Sequence, residues 1–124
     1  MEKVKLSDIE WAILNEIWKV KNASVREIAD RINEDDNKAY TTIQTYMENL
    51  VKKKILKKEK IGLVNFYSAA ISQEKIQKSE SNKFLERAFE GSFSSFASFF
   101  LKKNRLSEKE IEELKKIIDE ASDE

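Results

Sequence analysis

The sequence is poor in the residues that carry most side-chain chemistry. Among its 124 residues there is no cysteine, no histidine and no proline, and there are only two glycines. Without cysteine there is no disulfide, no thiolate nucleophile and no soft-metal site, and without histidine no imidazole can shuttle protons near neutral pH. No cofactor and no metal are expected. No apolar run approaches the roughly 20 residues needed to span a bilayer, so membrane insertion is not expected. The opening "MEKVKLSDIEWAIL" has neither the h-region nor the cleavage site of a signal peptide, and a cytoplasmic location is expected. Net charge is missing as well: 23 basic residues balance 23 acidic ones, so overall charge argues neither for nor against a nucleic-acid partner.

What is present points to a helical protein with a core. The chain is 40% hydrophobic and 37% charged, which suits one compact domain, or a small domain with an appendage. The charge is unevenly spread. Lys38, Lys52, Lys53, Lys54, Lys57, Lys58 and Lys60 face only Glu48 and Glu59 over the same stretch, a local basic excess of the kind that phosphates reward.

Helix signals recur along the chain. Ser7 and Glu10 form a capping box, and Ile9, Trp11, Ile13, Leu14, Ile17 and Trp18 follow at helical spacing. Ser24 and Glu27 repeat the device ahead of Val25, Ile28, Ala29 and Ile32, with Asn33 as a left-handed stop. After the polar "EDDNK", a third helix is predicted from Tyr40 to Lys53, burying Ile43, Met47, Leu50 and Val51. The period then changes. "ILKKEKIGLVNFYSAA" reads as a two-stranded hairpin turning near Gly62, with Lys57, Lys58 and Lys60 projecting. A long helix from Ser72 to Glu90 ends at Gly91, and Phe93, Phe96, Ala97 and Phe100 mark a short one. Ser107 and Glu110 open a last helix with Ile111, Leu114, Ile117, Ile118 and Ala121 on one face.

Three helices followed by a basic hairpin is the order of a winged helix–turn–helix, in which the third helix enters the major groove. The expected fold is therefore mainly α with a small β-hairpin wing, a DNA-binding domain over residues 1–71 and a helical region over 72–124, to which the family resemblance given below assigns dimerisation. Tyr40, Thr41, Gln44 and Thr45 would face the groove. Glutamine can bond adenine N6 and N7, and threonine can meet a thymine methyl or donate to base or phosphate. Lys52, Lys53, Lys54, Lys58 and Lys60 would position the protein on phosphates. The bland alternative is a solvated helix face beside a lysine run.

At this point the chain resembles a family. "LSDIEWAILNEIWK", "TTIQTYMENLVKKKIL", "FYSA" and "LSEKEIEELKKII", in this order and spacing, are similar to the penicillinase repressor (BlaI/MecI) family of bacterial transcriptional regulators. Its most specific parts are Thr42-Ile43-Gln44-Thr45 and the closing segment Leu106 to Leu114. The resemblance implies a homodimer on double-stranded, pseudo-palindromic operator DNA, with Lys38, Thr42 and Asn49 joining the residues above at the DNA. It implies pairing through the C-terminal helices. The residues agree, because Phe84, Leu85, Ala88, Phe89, Phe93, Phe96, Phe100, Leu101, Ile111, Leu114, Ile117 and Ile118 are more apolar groups than so short a tail can bury alone. Folding back onto the winged domain is the alternative.

The family's resistance regulators are released when a membrane sensor protease system detects a β-lactam and the repressor is cut at an Asn-Phe bond. The corresponding bond here is Phe99-Phe100, and its asparagine is missing. Other departures from the family are Tyr40 and Ala69 at positions that often hold proline, Lys54 for a helix-ending glycine, and Asn49 for an arginine. These imply the same fold with a different base preference or affinity.

Three rivals remain in view. A copper-sensing repressor of the same broad family needs a C-terminal cysteine motif, which "IIDEASDE" lacks. A winged-helix protein-interaction module without sequence-specific DNA binding predicts weak, salt-insensitive DNA association. An enzyme would need carboxylates in a protected site, whereas Asp35/Asp36 and Glu112/Glu113 lie in charge-rich segments where nothing raises a pKa.

Overall fold

A computed structural model describes residues 5–32 and 40–122. Its elements in chain order are α1 (Asp8–Val20), β1 (Asn22–Ala23), α2 (Val25–Ile32), α3 (Tyr40–Lys52), β2 (Leu56–Ile61), β3 (Val64–Ala69), α4 (Gln73–Phe89), α5 (Phe93–Lys103) and α6 (Glu108–Ser122). The chain divides into two compact units, residues 1–77 and 78–124.

Local chemistry sets most helix starts. At α1 the Ser7 hydroxyl accepts from the Glu10 amide while the Glu10 carboxylate accepts from the Ser7 amide, closing the box in both directions. Ser24 and Glu27 do the same at α2. At α6 only one half of the box is closed through the backbone: Ser107 Oγ accepts the Glu110 amide, and its hydroxyl points at the Glu110 carboxylate 3.4 Å away. Ser72 and Ser92 accept from the Lys75 and Ser95 amides in the same way. The proposed stop at Asn33 lies outside the described residues.

The predicted hairpin is one part of a three-stranded antiparallel sheet in the order β1-β3-β2. The two-stranded hairpin is β2 and β3, and a third strand that the sequence did not signal, β1, joins its β3 edge. The extra strand is only two residues, with Asn22 opposite Ser68 and Ala23 opposite Tyr67, too short to show an alternation in sequence. β2 and β3 pair from Leu56↔Ala69 to Ile61↔Val64. The loop between them is Gly62-Leu63, with Gly62 at φ +64°, the first position of a II′ turn where glycine carries no steric cost.

The core of the first unit gathers Ile13, Leu14 and Ile17 from α1, Val25, Ile28 and Ala29 from α2, and Ile43, Met47 and Leu50 from α3. Ile55, Leu56, Tyr67 and Ile76 close it from the wing and the first turn of α4. Val51, expected inside, is only half-buried. The Trp18 indole N–H donates to the Ile71 carbonyl at 3.4 Å, tying α1 to the chain beyond the sheet.

One ion pair joins the start of α1 to the end of α3. The Glu10 carboxylate, 4% exposed, accepts from Lys53 Nζ at 2.8 and 3.1 Å as well as from the Ser7 amide and hydroxyl. Lys53 Nζ also donates to the Lys5 carbonyl. A buried carboxylate with this many donors is satisfied; one without them would be costly. Just beyond, the Ile55 amide reaches the Leu50 carbonyl and the Lys54 amide the Val51 carbonyl, a Schellman ending with Ile55 packed on Leu50 in the core. Its left-handed position is Lys54 at φ +65°, where the side chain is strained.

Two stability predictions follow from these ends. Lys54→Gly removes the strain and raises stability by about 1 kcal/mol, a Tm rise of roughly 4–8 °C for a domain of this size; an unchanged or lower Tm counts against it. Burial alone would raise the Glu10 pKa, but the bonds from Lys53 and Ser7 outweigh it and hold the carboxyl below its ordinary value. That contribution is complete above the unfolded pKa near ~4.3 and is lost as pH falls through the lower folded value. Glu10→Gln therefore costs about 1–3 kcal/mol at pH 7 and flattens the loss of stability in acid, as urea titrations across that range will show; parallel pH profiles for the two proteins would exclude it.

Candidate nucleic-acid interface

Helical spacing divides the surface of α3. Ile43, Met47 and Leu50 are fully buried against α1 and α2. On the opposite side Thr41, Thr45 and Lys52 are exposed, and Asn49, half-buried, continues the row. A third strip, Tyr40, Gln44 and Glu48, recurs every four residues and runs along the flank beside the wing.

The wing is locked to that flank by Glu48. Its Oε1 accepts the Tyr67 hydroxyl at 2.6 Å, and both carboxylate oxygens accept from Lys58 Nζ at 3.0 and 3.1 Å. The Tyr67 hydroxyl bond, helped by Lys58, holds the Glu48 carboxyl below its ordinary value. Burial, and then the same bond to Glu48, push the Tyr67 phenol above its ordinary value, so it remains a donor. The carboxylate on this flank of α3 is thereby paired, and the hairpin is set alongside the helix.

The residues expected at DNA are sorted by this geometry. Thr41, Thr42, Thr45 and Tyr40 stand exposed on the first half of α3, with Lys52 at its end and Lys60 out on the wing. Thr45 donates its hydroxyl to the Thr41 carbonyl at 2.9 Å, leaving its methyl and lone pairs for a partner but not its proton. Gln44 is half-buried and turned toward the wing. Lys53 and Lys58, expected on phosphates, are held by Glu10 and Glu48 in the free chain. Of the other lysines in this run, Lys52, Lys54, Lys57 and Lys60 form no salt bridge among the described residues. Lys38 lies outside the described residues, as do Asp35 and Asp36.

Sequence reading missed Arg26. Its guanidinium sits 5.2 Å from the Tyr40 ring centroid, a cation–π contact between the start of α2 and the start of α3. Arg26 and Tyr40, with Gln44 and the wing residues Leu63, Val64 and Asn65, line an open recess of about 400 Å³. Arg26 makes no ion pair among the described residues, and its donors are free for a phosphate. Nothing in "SVREI" distinguishes it from a solvated helix residue; only packing brings it to Tyr40. Among the described residues no group of three His, Cys, Asp or Glu could hold a metal ion, and no helix is long and apolar enough to cross a membrane.

The second unit has a different character. Phe96 packs against Phe84, Phe89, Phe93 and Phe100 with ring centroids 5.3–6.3 Å apart, and Phe89 also meets Phe99. Yet neither α5 nor α6 has a buried residue. Phe93, Phe99, Phe100, Leu101, Ile111, Leu114, Ile117 and Ile118 are all exposed, the last two at 59% and 65%, and Phe84 is nearly half exposed. Leu85 and Phe89 are half-buried. Glu112 and Glu113 lie on exposed α6, where Lys115 approaches Glu112 to 3.8 Å.

Comparison with known proteins places this arrangement. The penicillinase repressor of Staphylococcus aureus is 34% identical over 121 residues, covering 98% of this chain and 96% of its own length. The methicillin resistance regulatory protein MecI of S. aureus (strain N315) is 31% identical over 114 residues, 92% of this chain and 93% of its own. Among solved structures, the monomeric form of Bacillus licheniformis BlaI in complex with the blaP half-operator superposes with a TM-score of 0.51. It is 29% identical and covers 60% of this chain and 92% of that one. The model of the penicillinase repressor family matches residues 6–120, and the chain belongs to that family.

Proposed function

We propose that the protein is a dimeric transcriptional repressor that binds a pseudo-palindromic operator, controls β-lactam resistance or related genes, and is relieved by proteolysis in its C-terminal region. The observation that carries the reading is the division of α3. One side is wholly buried, and the other presents Thr41, Thr45, Asn49 and Lys52 in a row beside a wing bearing Lys60. An α-helix gripped in this way can lay its first turns in a major groove while the lysines meet phosphates. A relative of the same family whose monomeric form occupies a half-operator supports two copies per full site.

Dimerisation is supported by the apolar faces of α5 and α6. Eight large apolar side chains of α5 and α6 stand exposed, more than the scattered single residues ordinary on a soluble monomer, and a second copy would cover them by an isologous interface. The Phe99-Phe100 bond lies inside α5. Cutting it requires that the helix open locally, and a cut there would divide the surface that holds the dimer together. The sensor protease system that would make the cut is inferred from the family alone.

Selection of bound duplexes from a randomised pool at moderate salt tests the reading. A two-fold-symmetric motif is expected, its half-sites about 10–10.5 bp apart centre to centre or a multiple of that. No enriched motif would favour a protein-interaction module. With the selected operator, Thr41→Ala and Gln44→Ala each cost about 1–3 kcal/mol and relax one base position, whereas Lys60→Ala weakens all sequences alike and lowers the salt slope by about 1. A uniform loss in all three would refute that division of roles. Ile118→Glu, on a side chain already exposed in the single chain, halves the mass seen by sedimentation without lowering helix content; an unchanged mass would place the interface elsewhere.

A further inference from the structure

Two lysines of the basic run are bridged to glutamates, and the two bridges differ. The Glu10 side chain is 6% exposed, and Lys53 holds it together with Ser7. Drawing Lys53 away would strand a buried charge. The side chains of Glu48 and Lys58 are 33% and 36% exposed. With Lys58 gone, the Glu48 carboxylate would still accept the Tyr67 hydroxyl at 2.6 Å. It would also keep the charge of Lys52, four residues on in α3, which adds to Tyr67 and Lys58 in holding the carboxyl below its ordinary value. Nothing is stranded by that departure.

We propose that Lys58 exchanges Glu48 for a DNA phosphate on binding, and that Glu48, a built-in competitor for this lysine, sets the affinity without touching a base. This rests on the operator-binding reading above. An α-helix with its side chains is about 10–12 Å across and fills a major groove about 12 Å wide. A hairpin fastened along the flank of α3 must then lie over the bounding sugar–phosphate strand. Lys58 shares one face of β2 with Lys60, and its flexible stem lets the ammonium turn from helix to strand. In the free chain the carboxylate takes the seat of a phosphate, both oxygens accepting from Lys58 Nζ at 3.0 and 3.1 Å. The exchange is close to balanced, because a partly solvated ion pair contributes little. Counterions released from the DNA tip it toward the phosphate. Tyr67, buried and bonded to Glu48 Oε1, keeps the hairpin beside α3 whichever partner Lys58 holds. Phosphate contacts carry no sequence information, so Glu48 lowers affinity for every duplex alike.

The test uses the full chain, the selected operator, and operators in which each phosphate in turn is an uncharged methylphosphonate. Glu48→Gln retains an oxygen for the Tyr67 hydroxyl, so its melting temperature should stay close to that of the wild type. It should bind the operator and an unrelated duplex about three- to fivefold more tightly. Neutralising the phosphate that Lys58 meets should cost the wild type little, because Glu48 takes the lysine back. The same substitution should cost Glu48→Gln about tenfold and Lys58→Gln nothing. Coincident methylphosphonate profiles for the wild type and Glu48→Gln, or no gain in affinity by Glu48→Gln, would overturn the proposal. A gain on the operator alone would make Glu48 a base-reading residue and overturn it too. Should Glu48→Gln melt early, Lys58→Gln decides: a profile identical to that of the wild type means that the bridge stays closed on DNA. If the wild-type chain selects no duplex, the operator reading itself fails and this proposal with it; if it selects one and the profiles coincide, only the exchange falls.

Discussion

A carboxylate in the middle of α3 decides where the wing lies. Glu48 projects from the same helix that carries the exposed threonines Thr41, Thr42 and Thr45, and an unpaired negative charge there would oppose any phosphate partner. The Tyr67 hydroxyl at 2.6 Å and the Lys58 ammonium answer it instead. Both come from the hairpin, so the interaction that neutralises the charge also fixes the angle between recognition helix and wing. Tyr67 is fully buried and carries its hydroxyl to the edge of the core, while Lys58 stays partly solvated. A surface ion pair of this kind contributes little by itself; the geometry it imposes matters more.

The same logic recurs just past the last residue of α3. Glu10 caps α1 and accepts from Lys53, so one residue serves a helix start and a tertiary link. Together the two carboxylates hold the second half of α3, and the apolar stripe of Ile43, Met47 and Leu50 supplies the packing along its length. A recognition helix held this firmly loses little freedom on binding, and the loss of freedom is a main cost of association.

The C-terminal unit makes the opposite compromise. Its phenylalanines form a cluster centred on Phe96, yet α5 and α6 leave whole apolar faces in water. Fewer than fifty residues do not enclose a core easily, and here the sequence places aliphatic residues on one side of α6 with acidic ones around them.

Much of this was legible from the chain itself. The capping serines, the apolar spacing of α1 to α3, the Gly62 turn and the stripe from Ile111 to Ile118 are encoded within a few residues of where they act, and local rules read them. Family resemblance added the expectation of an operator and of pairing through the C-terminal helices. What spacing could not reveal depends on residues far apart: Lys53 meets Glu10 across 43 positions and Tyr67 meets Glu48 across 19. The lysine run therefore looked uniform in sequence, and only tertiary packing separated Lys53 and Lys58, engaged inside the protein, from Lys52 and Lys60, left for a partner. The two-residue strand β1 and the stacking of Arg26 on Tyr40 were hidden for the same reason. Helix periodicity and capping are determined by neighbours along the chain, whereas the availability of a charged side chain is determined by whichever distant group the fold brings within reach of it.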